Sequence, residues 1–306
     1  IPHLLEELTV LTEQRRREFV RVLCTGAGAG HLGTGRLDGW VNTTFRVGPL
    51  DRGPVERLTR IGIQLYTVRG EFAKDAEGTL ARLAEIGFKE VEFAGYPQGT
   101  AASLKAALDR LGLTAPSSHV PMQAIQGEWE RWLDDAALLG QKFIVVAYLA
   151  PSERRVLDDW KRIAGAFNRA AEIAKGRGIQ FCYHNHNFEF PPIDGVVPYD
   201  VLLQETDPTL VQLELDLYWI AKAGRDPLEY FAKWPGRFPL VHVKDMDNTP
   251  RQFFADVGTG TIDFKRIFSQ AKQAGIRHYF YEQDTTPGAP LDSAKASFDY
   301  LSKLTY

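Results

Sequence analysis

From residue 61 onward the chain repeats one pattern eight times: a short β-branched, aromatic or aliphatic run, then a longer stretch with helical spacing of its apolar positions. Strands alternating with helices imply a parallel sheet, because parallel neighbours need a long crossover and a helix supplies it. The strand-like runs are IGIQLY (61–66), KEVEFAG (89–95), LTAPSSHV (113–120), KFIVVAYL (142–149), IQFCYHN (179–185), VQLELD (211–216), PLVHVKD (239–245) and RHYFYEQ (277–283). Helical stretches follow at 76–86, 101–111, 127–139, 153–175, 199–205, 227–233, 264–274 and 289–303. The fourth run is apolar throughout, as a strand covered on both faces must be. Pro116 makes the third a weaker strand, since it cannot donate to a ladder. Several helical stretches stop at a glycine and pass into the next strand, at Gly87, Gly112, Gly140, Gly178 and Gly275, where a left-handed residue ends a helix without penalty. Eight such units close most economically on themselves, so the predicted fold class is α/β, a (β/α)8 TIM barrel over 61–306. A doubly wound open sheet is the alternative, but no GxGxxG follows the first run.

Residues 1–60 contain no ninth unit and read as an irregular N-terminal extension. Residues 14–30, QRRREFVRVLCTGAGAG, set arginines before a short apolar run and small residues, like a twin-arginine export signal. Arg21 interrupts the run and a glycine-rich polar stretch follows it, so the segment is either a degraded export signal or a disordered extension. Localisation stays open between the cytoplasm and, with a functioning signal, the periplasm. No stretch approaches the ~20 apolar residues of a membrane span. A net charge of -3 gives no overall drive toward nucleic acid, so no nucleic-acid partner is expected. Two cysteines, Cys24 and Cys182, supply neither a disulfide framework nor a zinc spacing. Assembly into a homo-oligomer is compatible with all of this.

Barrels of this kind carry their chemistry at the C-terminal strand ends. Those ends hold Glu92, His119, His184 to Glu189, Glu214 with Asp216, His242 with Lys244 and Asp245, and Glu282 with Asp284. Each has a plain reading as a hydrogen-bonded or solvated residue. Together they would converge on one axis, where buried like charges are costly unless a cation neutralises them. Period-two alternation puts Gln212, Glu214 and Asp216 on one face, His242 and Lys244 on another, and Phe280 with Glu282 on a third. The helices cover the outside of a barrel, so these faces point inward. Asp216, His242 and Glu282 are therefore candidate ligands for a divalent metal such as Mn, Mg, Co or Zn.

The motifs IQLYTVR, SSHVP, YHNHNFEF, LELDLYW, VHVKDM with FADVGTGTIDF, and YEQD, in this order, resemble the sugar phosphate isomerase/epimerase family, the xylose isomerase-like TIM barrels. The resemblance covers about 61–306. It implies a divalent metal held by Glu, Asp, His and Glu from strands five to eight, with Asp216, His242 and Glu282 matching the last three. The fifth strand departs from that pattern, with His184 where relatives carry the first glutamate and Glu189 in the loop beyond. Two assignments follow. Glu189 completes the set, the preferred reading, and His184 or His186 is the base; or His184 is itself a ligand.

The implied chemistry is isomerisation, epimerisation or elimination on a sugar or ketosugar through an enediolate. Base candidates are His184, His186 and Glu282. Tyr66, Glu92, His119, Lys244 and Trp219 are candidates for holding substrate, the aromatics by stacking on a sugar ring. The YHNH variant with IQLYTVR resembles the branch that includes enzymes of ketosugar and ketoglycoside breakdown, so phosphate on the substrate is not expected; the backbone N–H groups of VGTG (257–260) could meet an anion, but a plain αL turn explains those glycines as well. An abasic-site endonuclease shares this fold but needs more than the seven histidines present and a basic face. A non-catalytic sugar-binding barrel would keep the aromatics and lose the base.

Overall fold

The structure, a computed structural model, describes residues 56–97 and 99–306. The export-signal reading lies outside the described residues. Eight strands form a closed parallel barrel: β1 (Gly62–Gln64), β2 (Glu90–Phe93), β3 (Thr114–Val120), β4 (Phe143–Val146), β5 (Gln180–His184), β6 (Val211–Asp216), β7 (Leu240–Val243) and β8 (His278–Tyr281). Each strand pairs with its sequence neighbours and β8 returns to β1, with Gly62 opposite Phe280. A Cβ at Gly62 would overlap the Phe280 ring, so glycine there lets that ring lie across the barrel.

Alternation divides the strands as the sequence predicts. Phe181 and Tyr183, Leu213 and Leu215, and Val241 and Val243 face the helices and join the large apolar layer between sheet and helices. Phe143, Val145, Cys182, Leu240 and Phe280 form a separate small cluster inside the barrel. Cys182 is fully buried, and burial raises its thiol pKa well above the usual range, so it packs rather than reacts. Above this plug the inward positions turn polar, and there the site begins.

The five helix-ending glycines all have positive φ, between 66° at Gly112 and 124° at Gly87. Aspartates open several helices: the Asp75 carboxylate accepts from Gly78 N–H, and Asp226 accepts from Leu228 N–H beside Pro227.

Four local expectations differ from what is observed. β3, expected to be weak, is the longest barrel strand, because its register against β2 shifts between Glu90–Thr114 and Glu92–Ser117 and places Pro116 at the irregularity. The helical stretch at 264–274 is broken into Phe264–Phe268 and Ala271–Ala274. A helix not expected from the sequence, Leu217–Lys222, begins directly after β6. The described barrel also takes in residues before 61. Glu56 N–H donates to the Tyr306 carbonyl (2.9 Å), Tyr306 N–H donates to that of Glu56 (3.1 Å), and Leu58 is buried in the core.

Candidate active site

At the C-terminal end of the barrel, His184, Asp216, His242 and Glu282 each present a ligand-type atom within 4.8 Å of the others, and all four side chains are buried. They come from β5, β6, β7 and the residue after β8, whose alternation aims them at the axis. Asp216 is locked twice. Its Oδ1 accepts from Trp219 N–H (2.9 Å), capping the helix Leu217–Lys222, and its own N–H donates to Asn185 Oδ1 (3.1 Å). Oδ2 is left to face His184 Nε2 at 3.3 Å and His242 Nδ1 at 3.7 Å.

His242 is held from below. Its Nε2 donates to Glu92 Oε2 across 2.7 Å, which leaves Nδ1 as the free ring nitrogen. His242 Nδ1 lies 2.7 Å from Glu282 Oε2, and both atoms are buried. An imidazole with one nitrogen tied to a carboxylate and the other facing two further carboxylates is an arrangement in which histidine binds metal ions. The residues present can therefore hold a metal ion, with His184, Asp216, His242 and Glu282 as its ligands.

Lys244 places Nζ 2.7 Å from Glu282 Oε2, 3.1 Å from Asp216 Oδ2 and 2.8 Å from Asp284 Oδ1. Burial disfavours its charge, but Asp216, Glu282 and Asp284 hold it protonated with a pKa well above the usual lysine value. Burial would likewise raise the Asp216 carboxyl, and Lys244 is the main influence that keeps it well below its ordinary range. At His242 burial opposes the imidazolium, while Glu214 and Glu282 raise its pKa well above 6.5. Acids gathered this densely call for positive charge, which a divalent cation supplies in compact form.

A second layer lies beneath. Glu92 accepts from Gln64 Nε2 (2.8 Å), Ser117 Oγ and His242 Nε2, and His119 Nε2 bonds Glu214 Oε2 at 2.7 Å. Glu92, expected to touch substrate, is fully buried and does not line the cleft. It supports His242 instead.

The cleft above has a volume of about 340 Å³. Tyr66, His119, His184, His186, Lys244 and Glu282 line it, together with Tyr148 and Asp284. Trp219, expected to stack on substrate, is not part of that lining; its ring packs beside Lys244 Nζ (5.7 Å) and the His186 ring (5.5 Å). Glu189 does not fold back into the cluster. Tyr183 OH donates to its Oε1 (2.6 Å) and His186 N–H donates to its Oε2 (2.9 Å). Burial raises this carboxyl to about 7, and those hydrogen bonds only partly offset the rise. The sequence reading places Glu214 and Asp284 at the strand ends without giving them a role, and gives none to Gln64 or Ser117. Glu214 had a signal, since it shares a face with Asp216; Gln64 and Ser117 are recognisable only once the strands are paired.

A closed (β/α)8 barrel carries buried histidines and carboxylates at its C-terminal strand ends, and these could hold a metal ion under the cleft. The chain belongs to the xylose isomerase-like TIM barrel family, whose model matches residues 80–304. A sugar phosphate isomerase/epimerase from Parabacteroides distasonis ATCC 8503 is 30% identical, with 79% of this chain and 93% of that one aligned and a TM-score of 0.69. A second structure of the same description and organism is 28% identical over 80% of this chain and 98% of that one, with a TM-score of 0.71. An inosose dehydratase of Geobacillus kaustophilus (strain HTA426) is 25% identical over 271 residues, 74% of this chain and 86% of that protein.

Proposed function

We propose that this chain is a divalent-metal-dependent isomerase, epimerase or eliminating lyase that acts on a sugar or ketosugar through an enediolate. The observation that carries the reading is the convergence of His184, Asp216, His242 and Glu282, all buried, on one point under the cleft. Two imidazoles and two carboxylates suit Mn, Co or Zn, with Mg less favoured by the nitrogen share. Of the two assignments open for strand five, the geometry supports His184 as ligand.

When bound, such a cation polarises a carbonyl and holds the neighbouring hydroxyl oxygen. His186 is the base we assign. Its ring lines the cleft beside that of His184, with the two centroids 4.9 Å apart. It takes the proton from the carbon beside the carbonyl, and the electron pair of that C–H bond passes into the enediolate. Lys244 sets a fixed positive charge beside the oxygen that gains charge. Return of the proton to the adjacent carbon isomerises the sugar, and return to the opposite face epimerises it. Departure of a β-hydroxyl with the proton as water completes an elimination. The inosose dehydratase relative favours that last outcome, and the isomerase/epimerase relatives favour the first two.

The test is metal content by elemental analysis together with deuterium uptake into ketoses and aldoses in deuterated water. The reading expects about one divalent ion per chain and uptake that stops on chelation and returns with metal. Uptake indifferent to chelation, or protein that takes up no metal, would overturn it.

A further inference from the structure

Three of the histidines at the site have their imidazoles fixed by polar contacts. His242 is tied to Glu92, His119 is tied to Glu214, and His184 faces Asp216 Oδ2 and the Ala147 carbonyl at 3.3 Å each. His186 is held through its main chain instead: its N–H donates to Glu189 Oε2, and its carbonyl accepts from Asn185 Nδ2 (3.3 Å). Among the described residues no hydrogen bond reaches its ring. The torsion that turns an imidazole about its Cβ–Cγ bond is soft, so such a ring needs another restraint to keep one orientation.

Other rings supply it. Phe188 lies nearly parallel to the His186 imidazole, with centroids 5.3 Å apart and planes at 10°. Tyr148 meets both edge-on, 5.4 Å from His186 and 5.5 Å from Phe188. Trp219 leans on the imidazole at 5.5 Å. The loops after β4, β5 and β6 thus each bring one ring to the same histidine. Phe188 is itself held: Arg154, from the loop after β4, sets its guanidinium carbon 3.5 Å over the phenyl ring, and Arg154 Nε donates to the carbonyl of buried Leu149 (3.0 Å). A guanidinium over an aromatic face is attracted by the ring quadrupole, and its rigid fork loses little freedom there. The order of support runs from Leu149 to Arg154, from Arg154 to Phe188, and from Phe188 to the imidazole. Of these, Phe188 and Arg154 are not part of the cleft lining, so any effect they have on the reaction passes through His186.

We infer that Phe188 and Arg154 are positioning residues for His186, keeping its imidazole at one orientation toward the cleft. The consequence for turnover rests on the proposed function, in which His186 is the base; the restraint on the ring does not. A base displaced by about an ångström costs on the order of 10²-fold in rate.

The test uses the full chain loaded with zinc and carrying 13C-labelled histidine, with the His186 ring signal assigned by its absence from His186→Asn. Saturation kinetics of deuterium uptake are read on the ketose that exchanges fastest. Phe188→Leu should shift and broaden the His186 ring signal and lower kcat by about 10- to 100-fold, with KM and zinc content unchanged. Phe188→Tyr, which keeps the flat ring, should restore both, and Arg154→Gln should move the signal in the same direction by less. In a His186→Asn background, Phe188→Leu should alter the rate by less than about twofold, because residues that act as a unit are not additive. A ring signal that stays sharp and in place in Phe188→Leu would overturn the inference, and so would equal slowing in both backgrounds, which marks a purely structural residue. If His186→Asn exchanges as fast as the parent, or no sugar exchanges at all, the proposed reaction falls and the ring signal alone decides whether Phe188 positions His186.

Discussion

His242 on β7 and Glu92 on β2 are 150 positions apart in the chain and meet inside the barrel with Nε2 2.7 Å from Oε2. That contact decides which ring nitrogen of His242 faces Asp216 and Glu282. Replacing Glu92 with Gln keeps the shape but removes the acceptor charge that holds the tautomer. Losses of about 10- to 100-fold in metal affinity are typical when such a partner is removed. Titration of the variant with Mn should show that weakening, with circular dichroism unchanged.

Strand five supplies a second prediction. Glu189 is committed to Tyr183 OH and His186 N–H, so Glu189→Gln should retain the metal. His184→Asn should lose it, because an amide replaces an imidazole whose Nε2 faces Asp216 at 3.3 Å. His186→Asn should keep the metal and slow deuterium uptake by ~10² to 10⁴-fold, the usual range for a missing general base. Metal content and exchange rate on the three variants check this.

Much of this was legible before any coordinates. Alternation revealed the eight strands, and period two put Asp216, His242 and Glu282 on inward faces. Strand five was not decidable that way. Its loop brings Glu189 back to Tyr183, a side chain on the outward face, and nothing in the local spacing says which side of the sheet the loop revisits. Glu92 reads as a substrate contact on its own strand for a similar reason, since its partners Gln64, Ser117 and His242 come from three other strands. Pro116 looked like a weakness because the bulge that accommodates it appears only when β3 is set against β2.

At the N-terminal end of the barrel, Glu90 is buried between Arg60 Nε (2.7 Å) and His278 Nδ1 (2.7 Å). Burial would raise its carboxyl, but His278 and Arg60 lower it below the ordinary value of 4.5. A depressed folded-state pKa adds stability above the unfolded value, and that stability is lost as pH falls through the folded one. Glu90→Gln should therefore melt a few degrees below the parent at pH 7, for a loss of about 1 to 3 kcal/mol. The gap should close in thermal melts taken progressively below about pH 4.5.

Residues 56–60 are tied to the end of the chain through Glu56 with Tyr306, Arg57 with Thr305, and buried Leu58. A chain beginning at Ile61 should melt several degrees below one beginning at Glu56, since it loses a buried leucine, a bridge and the Arg60–Glu90 pair. Equal melting temperatures would show that this pairing adds nothing.

The central claim is that His184, Asp216, His242 and Glu282 hold one divalent cation. X-ray absorption spectroscopy of the full chain loaded with zinc tests it most directly, because multiple scattering counts imidazoles in the first coordination sphere. Two imidazole nitrogens with carboxylate oxygens, at one zinc per chain, is the predicted result. A single imidazole would return Glu189 to the ligand set, and an all-oxygen shell or substoichiometric zinc would contradict the site.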